Sequence, residues 1–229
     1  MTSEHVSGRP NDHRGDDIEL WAAWSMAVGT SSEARAAFDE LLGGHREPHR
    51  RYHTVHHVAW VVRHVNELAA REPVGDLDAV IVAAVFHDAV YDPTATDNED
   101  QSAALAERVL GELSWAEARR HAVGRLVRAT ERHEPGDDPD ERVLVDADLA
   151  VLGADPGAYR DYVTGVRSEY AHVDDDGWRR GRTAVLRGLL DRRPLYVTAT
   201  GRDRWEARAR ANLTAELATL ADPAHGARF

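Results

Sequence analysis

The stretch Leu77-Asp78-Ala79-Val80-Ile81-Val82-Ala83-Ala84-Val85-Phe86-His87-Asp88 decides how this chain folds. From Ala79 to Phe86 every residue is apolar, and a helix that is apolar all round is normally central and buried. The spacing predicts a helix from about Leu77 to Tyr91, stopped by Asp92-Pro93. Two strong metal ligands, His87 and Asp88, sit side by side near its end. A charged aspartate in such a setting costs several kcal/mol unless it is paired or metal-bound. The plainer reading is a helix-terminal polar pair that reaches solvent or a buried arginine.

Working outward, the neighbouring segments are also helical. A helix is expected from about Thr54 to Ala70, where Val58, Val61, Val62, Val65 and Ala69 recur at helical spacing. Two earlier helices are expected over 18–28 and 33–42, the second ended by Gly43-Gly44. Thr96 to Glu99 and Ser114 to Glu117 have the form of capping boxes that open the next two helices. Further helices are expected over about 140–152, 156–172, 178–191 and 203–221. The segment 195–200, L-Y-V-T-A-T, is the one short strand candidate. No repeat or composition break separates two domains. The expectation is an all-α chain, with a flexible tail over 1–15 and a single helical bundle over 16–229.

Bulk composition narrows the function. The chain has 229 residues, with 28 basic and 40 acidic side chains and a net charge of −12. That balance argues against nonspecific nucleic-acid binding, which rests on neutralising phosphates. Cysteine and lysine are both absent. Disulfides, thiolate nucleophiles, Schiff bases and a lysine-dependent phosphate loop are therefore excluded, and any metal must be held by His and carboxylates. No apolar run approaches the roughly 20 residues needed to span a bilayer, and no signal-peptide pattern opens the chain. A cytoplasmic protein without membrane contact, monomer or homodimer, is the expectation.

Two further clusters flank His87-Asp88. On a helix His53, His57 and His64 share one face, because residues four apart lie about 40° from each other. Such a stripe can aim imidazoles at a shared cavity, or decorate a solvated face; His56 points off it. Downstream, Asp146 and Asp148 sit in V-L-V-D-A-D-L-A-V-L. Two residues apart on a helix is about 200°, so at most one of them reaches a given metal. The order His, His-Asp, Asp suggests one divalent ion held by ligands from three separate helices. Such mixed N/O ligands suit Mn, Co, Ni, Zn or Fe better than calcium, and Mg is a further candidate.

His57, His87-Asp88 and Asp148, in that order, resemble the HD-domain superfamily of metal-dependent phosphohydrolases, over about residues 50–150. The resemblance implies an all-α HD-type bundle with a central metal, at least one ion per chain, and it assigns the last ligand to Asp148 with Asp146 in reserve. Y-H-T-V-H-H, Tyr52 to His57, is similar to the Y-H-N-x-x-H signature of cyclic nucleotide phosphodiesterases, with Thr54 in place of Asn. That likeness makes His53 the general acid and His57 a ligand. Pieces such as F-H-D-A-V-Y-D, D-A-D-L-A-V-L-G and Y-R-D-Y-V-T-G-V-R-S-E-Y are similar to a bacterial branch of predicted HD phosphohydrolases, over about 50–220.

The implied activity is hydrolysis of a phosphate ester of a nucleotide or another small phosphorylated metabolite, by attack of metal-bound water. Glu99 is a candidate for activating or positioning that water, although its capping-box position already accounts for it. His133, in A-T-E-R-H, is a candidate for a second metal or a phosphate, or a partner for a helix C-terminus. Arg51, Arg167 and Tyr170 are candidates for contacting phosphate, although surface ion pairing is the commoner fate of an arginine. Two alternatives stand beside this reading. One is a diiron oxygenase on the same scaffold, with Glu99, His121 or His133 as added ligands. The other is a nucleotide sensor that binds without turnover.

Overall fold

The apolar run becomes α4 (Leu77–Phe86), and every residue from Ala79 to Phe86 is buried. Burying its Val, Ile and Phe side chains is worth about 1.5–3 kcal/mol each, which puts α4 at the centre. The computed structural model describes residues 14–221. Around α4 lie α1 (Arg14–Val28), α2 (Ser32–Gly44), α3 (Val55–Ala69), α5 (Asn98–Glu112), α6 (Glu117–Ala129) and α7 (Pro139–Asp148). A 3-10 turn over Leu149–Gly153 follows α7 directly, and then come α8 (Pro156–Glu169), α9 (Asp175–Asp191) and α10 (Ala199–Ala221). No strand occurs among the described residues, so the expected all-α class holds.

α4 packs against α1, α3, α5, α6 and α7, and one continuous apolar core joins them to the 3-10 turn, α8 and α10. α3 turns its valine face inward: Val58, Val61, Val62 and Val65 are fully buried, with Leu68 extending the row. Helix starts are made by side chains that accept the first free N–H groups. Ser31, Asp76, Asp138, Asp155 and Asp174 do this for α2, α4, α7, α8 and α9. Pro139 and Pro156 fill the first helical position of α7 and α8, where no N–H is needed. No helix among the described residues is long and apolar enough to cross a membrane.

Several boundaries depart from expectation. α4 ends at Phe86 rather than near Tyr91, because the chain turns at His87 and its carbonyls find another donor. The Arg50 guanidinium, itself buried, donates to the carbonyls of Asp88 (2.7 Å) and Ala89 (3.0 Å). Neither capping box forms: α5 is preceded by Asp97 and α6 by Ala116, each without a side-chain cap. Ser114 instead sits in the left-handed region, at φ 63°.

The strand candidate at 195–200 is a loop that runs into α10, because carboxylates take the N–H groups a strand would need. Glu206 accepts from Leu195 and Tyr196, and Asp146 from Val197 and Thr198. Residues 1–13 of the expected tail lie outside the described residues, as do 222–229, while Arg14 and Gly15 already belong to α1.

Candidate metal centre

Three helices bring four side chains to one point. His57 comes from the first turn of α3, His87 and Asp88 follow the end of α4, and Asp148 closes α7. His57 Nε2 and His87 Nε2 are 3.0 Å apart. Asp88 Oδ2 lies 2.9 Å from His87 Nε2 and 3.3 Å from His57 Nε2. Asp148 Oδ1 lies 3.4 Å from His57 Nε2 and 3.6 Å from His87 Nε2. Ligands about 2.1 Å from one ion, at tetrahedral or octahedral angles, stand roughly 3.0–3.4 Å apart. Three of the five separations fall in that range, and the other two, 2.9 and 3.6 Å, lie just outside it. His57, His87 and Asp88 form the tightest group, and Asp148 joins it through the two imidazoles.

The donor chemistry fits a cation at the centre. His87 Nδ1 lies 2.9 Å from the Ala84 carbonyl, which can only accept, so Nδ1 carries a proton. The neutral ring then turns a lone pair on Nε2 toward His57 and both carboxylates. Three or four acceptors facing one another need a positive charge between them. Without a metal, protons must supply it. Burial opposes charge on His87, but Asp88 and Asp148 outweigh it and hold His87 up at about 10. His57 is also raised: burial pulls it down, and Asp148 and Asp88 outweigh that. The same histidines overcome burial to hold Asp88 and Asp148 well below the usual carboxylate range. α4 and α7 both end here, and their negative ends add to the field that favours a cation.

His57 departs from the usual arrangement of a ligating histidine, because its Nδ1 is buried with no partner. Its ring is held by contact instead: Tyr52 lies 4.6 Å from it and His53 5.6 Å, centroid to centroid.

Around the four side chains stands a ring of supporting groups. His133, left-handed at φ 51° in the loop after α6, approaches Asp148 Oδ2 with its Nε2 at 2.8 Å. His53 is not on α3 as expected; it lies in the bend before it, yet still faces the same cavity as His87 and Asp88. Its Nδ1 is 2.7 Å from Glu169 Oε2, which leaves Nε2 without a partner among the described residues. Glu169 is the residue of this site that the sequence did not signal. Buried at the end of α8, it accepts three consecutive backbone N–H groups, from Arg51, Tyr52 and His53, on Oε1. Tyr91 donates to Oε2 at 3.0 Å. Burial works against this charge, but His53 and the amides prevail and hold Glu169 down at about 2. Glu99, free of any capping box, lines the cavity from the first turn of α5 with its carboxyl raised by burial.

Other expected residues fall elsewhere. Arg51 is exposed and outside the cavity lining. Arg167 is spent on the end of α8, donating to the carbonyls of Tyr170 and Val173 and pairing with Asp175, and it does not line the cavity. His64 packs against Trp60 and Trp205, His56 pairs with Asp16 at the surface, and exposed His121 pairs with Glu107 and Glu117. His121 is thus removed as a ligand for a second ion.

Asp146 and Asp148 face opposite ways, as the helix angle requires. Asp146 is fully buried and binds Val197 N, Thr198 N and Thr198 Oγ1, at 3.0, 2.8 and 2.5 Å. Asp146→Ala strands those donors, and urea denaturation should register a loss of about 3 kcal/mol, with metal content unchanged. Asp148→Ala should do the reverse, losing metal with less effect on stability.

No family model matches the chain, and no curated protein or solved structure matches it either.

Proposed function

We propose that this protein is a metal-dependent phosphohydrolase acting on the phosphate ester of a small molecule. The observation that carries the reading is the meeting of two imidazole Nε2 atoms and two carboxylates from three helices at 2.9–3.6 Å, beside an independently oriented histidine. His57, His87, Asp88 and Asp148 would hold the ion. A divalent ion bound there supplies Lewis acidity toward a phosphoryl oxygen and lowers the pKa of a coordinated water.

The chain's own groups do the rest. Glu169 fixes which His53 nitrogen faces it and directs Nε2 as the free one. A His53 imidazolium then offers its second proton at Nε2 to the departing ester oxygen. His133 steadies Asp148 by its far oxygen, and Glu99 adds a carboxyl to the same cavity, where it can orient water.

The test is turnover of phosphate esters by protein loaded with Mn, Co, Ni, Zn, Fe or Mg, compared with His53→Asn. For an alkyl ester the variant should lose roughly 10²–10⁴-fold in kcat. For p-nitrophenyl phosphate, whose leaving group needs no proton, the loss should be far smaller. Equal losses on both esters remove His53 as the acid, and no turnover with any of these ions removes the reading.

Asp148 supports a second reading. Its two oxygens serve separate groups, one the His57–His87 pair and the other His133. A carboxylate shared in this way would suit a two-ion site, including that of a diiron oxygenase. That reading requires two ions per chain, and elemental analysis giving one removes it.

A further inference from the structure

The candidate centre opens into a cavity of about 680 Å³ with two unlike halves. One half holds the histidines and carboxylates. The other is walled by α8 and α9 with Tyr162, Val166, Tyr170 and Trp178, over a floor that includes Leu152. Trp178 is held in place by its neighbours. Arg167 and Arg182 lie 5.3 and 5.9 Å from its ring, and Tyr170 packs beside it at 5.9 Å. Gly181 lies on the cavity-lining face of α9, and a Cβ built there meets nothing within 4 Å. The space in front of this part of the wall is therefore open.

This half offers little to anions. Arg182 is the one lysine or arginine among the described lining residues, and its guanidinium is already used. It makes two bonds to Glu216, at 2.7 and 3.1 Å, and one to the Tyr162 hydroxyl at 3.0 Å. Glu99 and Glu131 add negative charge to the half that holds the histidines. A polyphosphate chain needs several free cationic donors, and it meets carboxylates here. A cationic body gains little either, because guanidinium groups already attend Trp178.

We propose that the substrate carries a single phosphoryl group on an uncharged, flat apolar body, and that the body seats against Tyr170 and Trp178. For the phosphoryl group the inference rests on the phosphohydrolase reading; for the body it rests on the α8–α9 wall alone. Nucleoside triphosphates are poor substrates on this account.

The probes are 1-naphthol, 1-naphthyl phosphate, glycerol phosphate and ATP. Binding of 1-naphthol, read from its own fluorescence, needs neither metal nor turnover. Gly181→Leu puts a side chain into the cavity at a helical position where leucine is the better helix former. It should weaken 1-naphthol binding and lower the naphthyl-to-glycerol ratio of kcat/KM, each by at least about tenfold, the scale on which pockets discriminate shape. Trp178→Ala serves as the second variant, with the same direction expected.

The proposal is overturned if wild-type protein does not bind 1-naphthol, if both variants bind it as the wild type does, or if ATP matches naphthyl phosphate in kcat/KM. Binding that both variants lose, with no ester cleaved under any metal, upholds the seat for the body and removes the phosphohydrolase reading instead.

Discussion

Asp88→Ala is expected to leave the fold standing and to empty the metal centre. Asp88 Oδ2 is the oxygen nearest both imidazoles, at 2.9 Å from His87 and 3.3 Å from His57. Its removal takes away one of the two negative charges that make the point attractive to a cation. The affinity loss should exceed the roughly 100-fold that removing an outer partner of a ligand can cost. Turnover should vanish with the metal. The local backbone does not depend on this carboxylate, because Arg50 grips the main-chain carbonyls of Asp88 and Ala89. Thermal unfolding separates the two effects. An ion at a hundred times its Kd stabilises a protein by about 2.7 kcal/mol, which for a chain of this size is about 5–10 °C in Tm. The wild type should show that shift on adding Mn or Zn, and Asp88→Ala should not, while the two metal-free proteins melt close together. A variant that keeps its metal shift, or one that is active without metal, would refute the assignment.

The second large effect belongs to Glu169. Glu169→Ala strands three backbone N–H groups, the His53 ring and the Tyr91 hydroxyl. Each buried donor left without a partner costs about 1–3 kcal/mol, so a loss above about 4 kcal/mol is expected, with collapse of activity. Glu169→Gln is the sharper variant. Its amide oxygen can still serve the three N–H groups, so stability should fall less. Its NH₂ group, however, faces His53 Nδ1, and that nitrogen must then accept. The ring then keeps a single proton, on Nε2, and a neutral imidazole is a far weaker acid than the imidazolium that the role needs. The expected cost in kcat is about 10²–10⁴-fold, with metal content unchanged. Glu169 also carries a pH dependence. Its folded pKa is depressed, so its stabilising effect is present above the ordinary 4.5 and is lost as pH falls toward 2. A Glu169→Gln protein with wild-type kcat would reduce Glu169 to a structural tie.

Parts of this arrangement were legible before the structure. The unbroken apolar run of α4 announces a central helix, and its polar end announces something to be held there. The 200° between Asp146 and Asp148 correctly splits them into one facing the cluster and one facing away. Roles set by distant contacts were not legible. α4 stops five residues early because Arg50, 38 residues upstream of Asp88, takes the carbonyls. Of the arginines that read as phosphate contacts, Arg51 is exposed and Arg167 serves a helix end. The buried ones, Arg50 and Arg182, look no different in sequence. Glu169 reads as one more acidic residue on an amphipathic helix, and only the fold brings it to a loop 116 residues away. The segment L-Y-V-T-A-T at 195–200 reads as a strand, but Asp146 and Glu206 claim its N–H groups first.

The central claim is a cation between four named atoms. Anomalous diffraction from crystals grown with Mn or Co tests it most directly. The expected result is one strong peak about 2.0–2.2 Å from His57 Nε2, His87 Nε2, Asp88 and Asp148. A cluster with no peak under excess metal, its imidazoles bonded directly to the carboxylates, would contradict it.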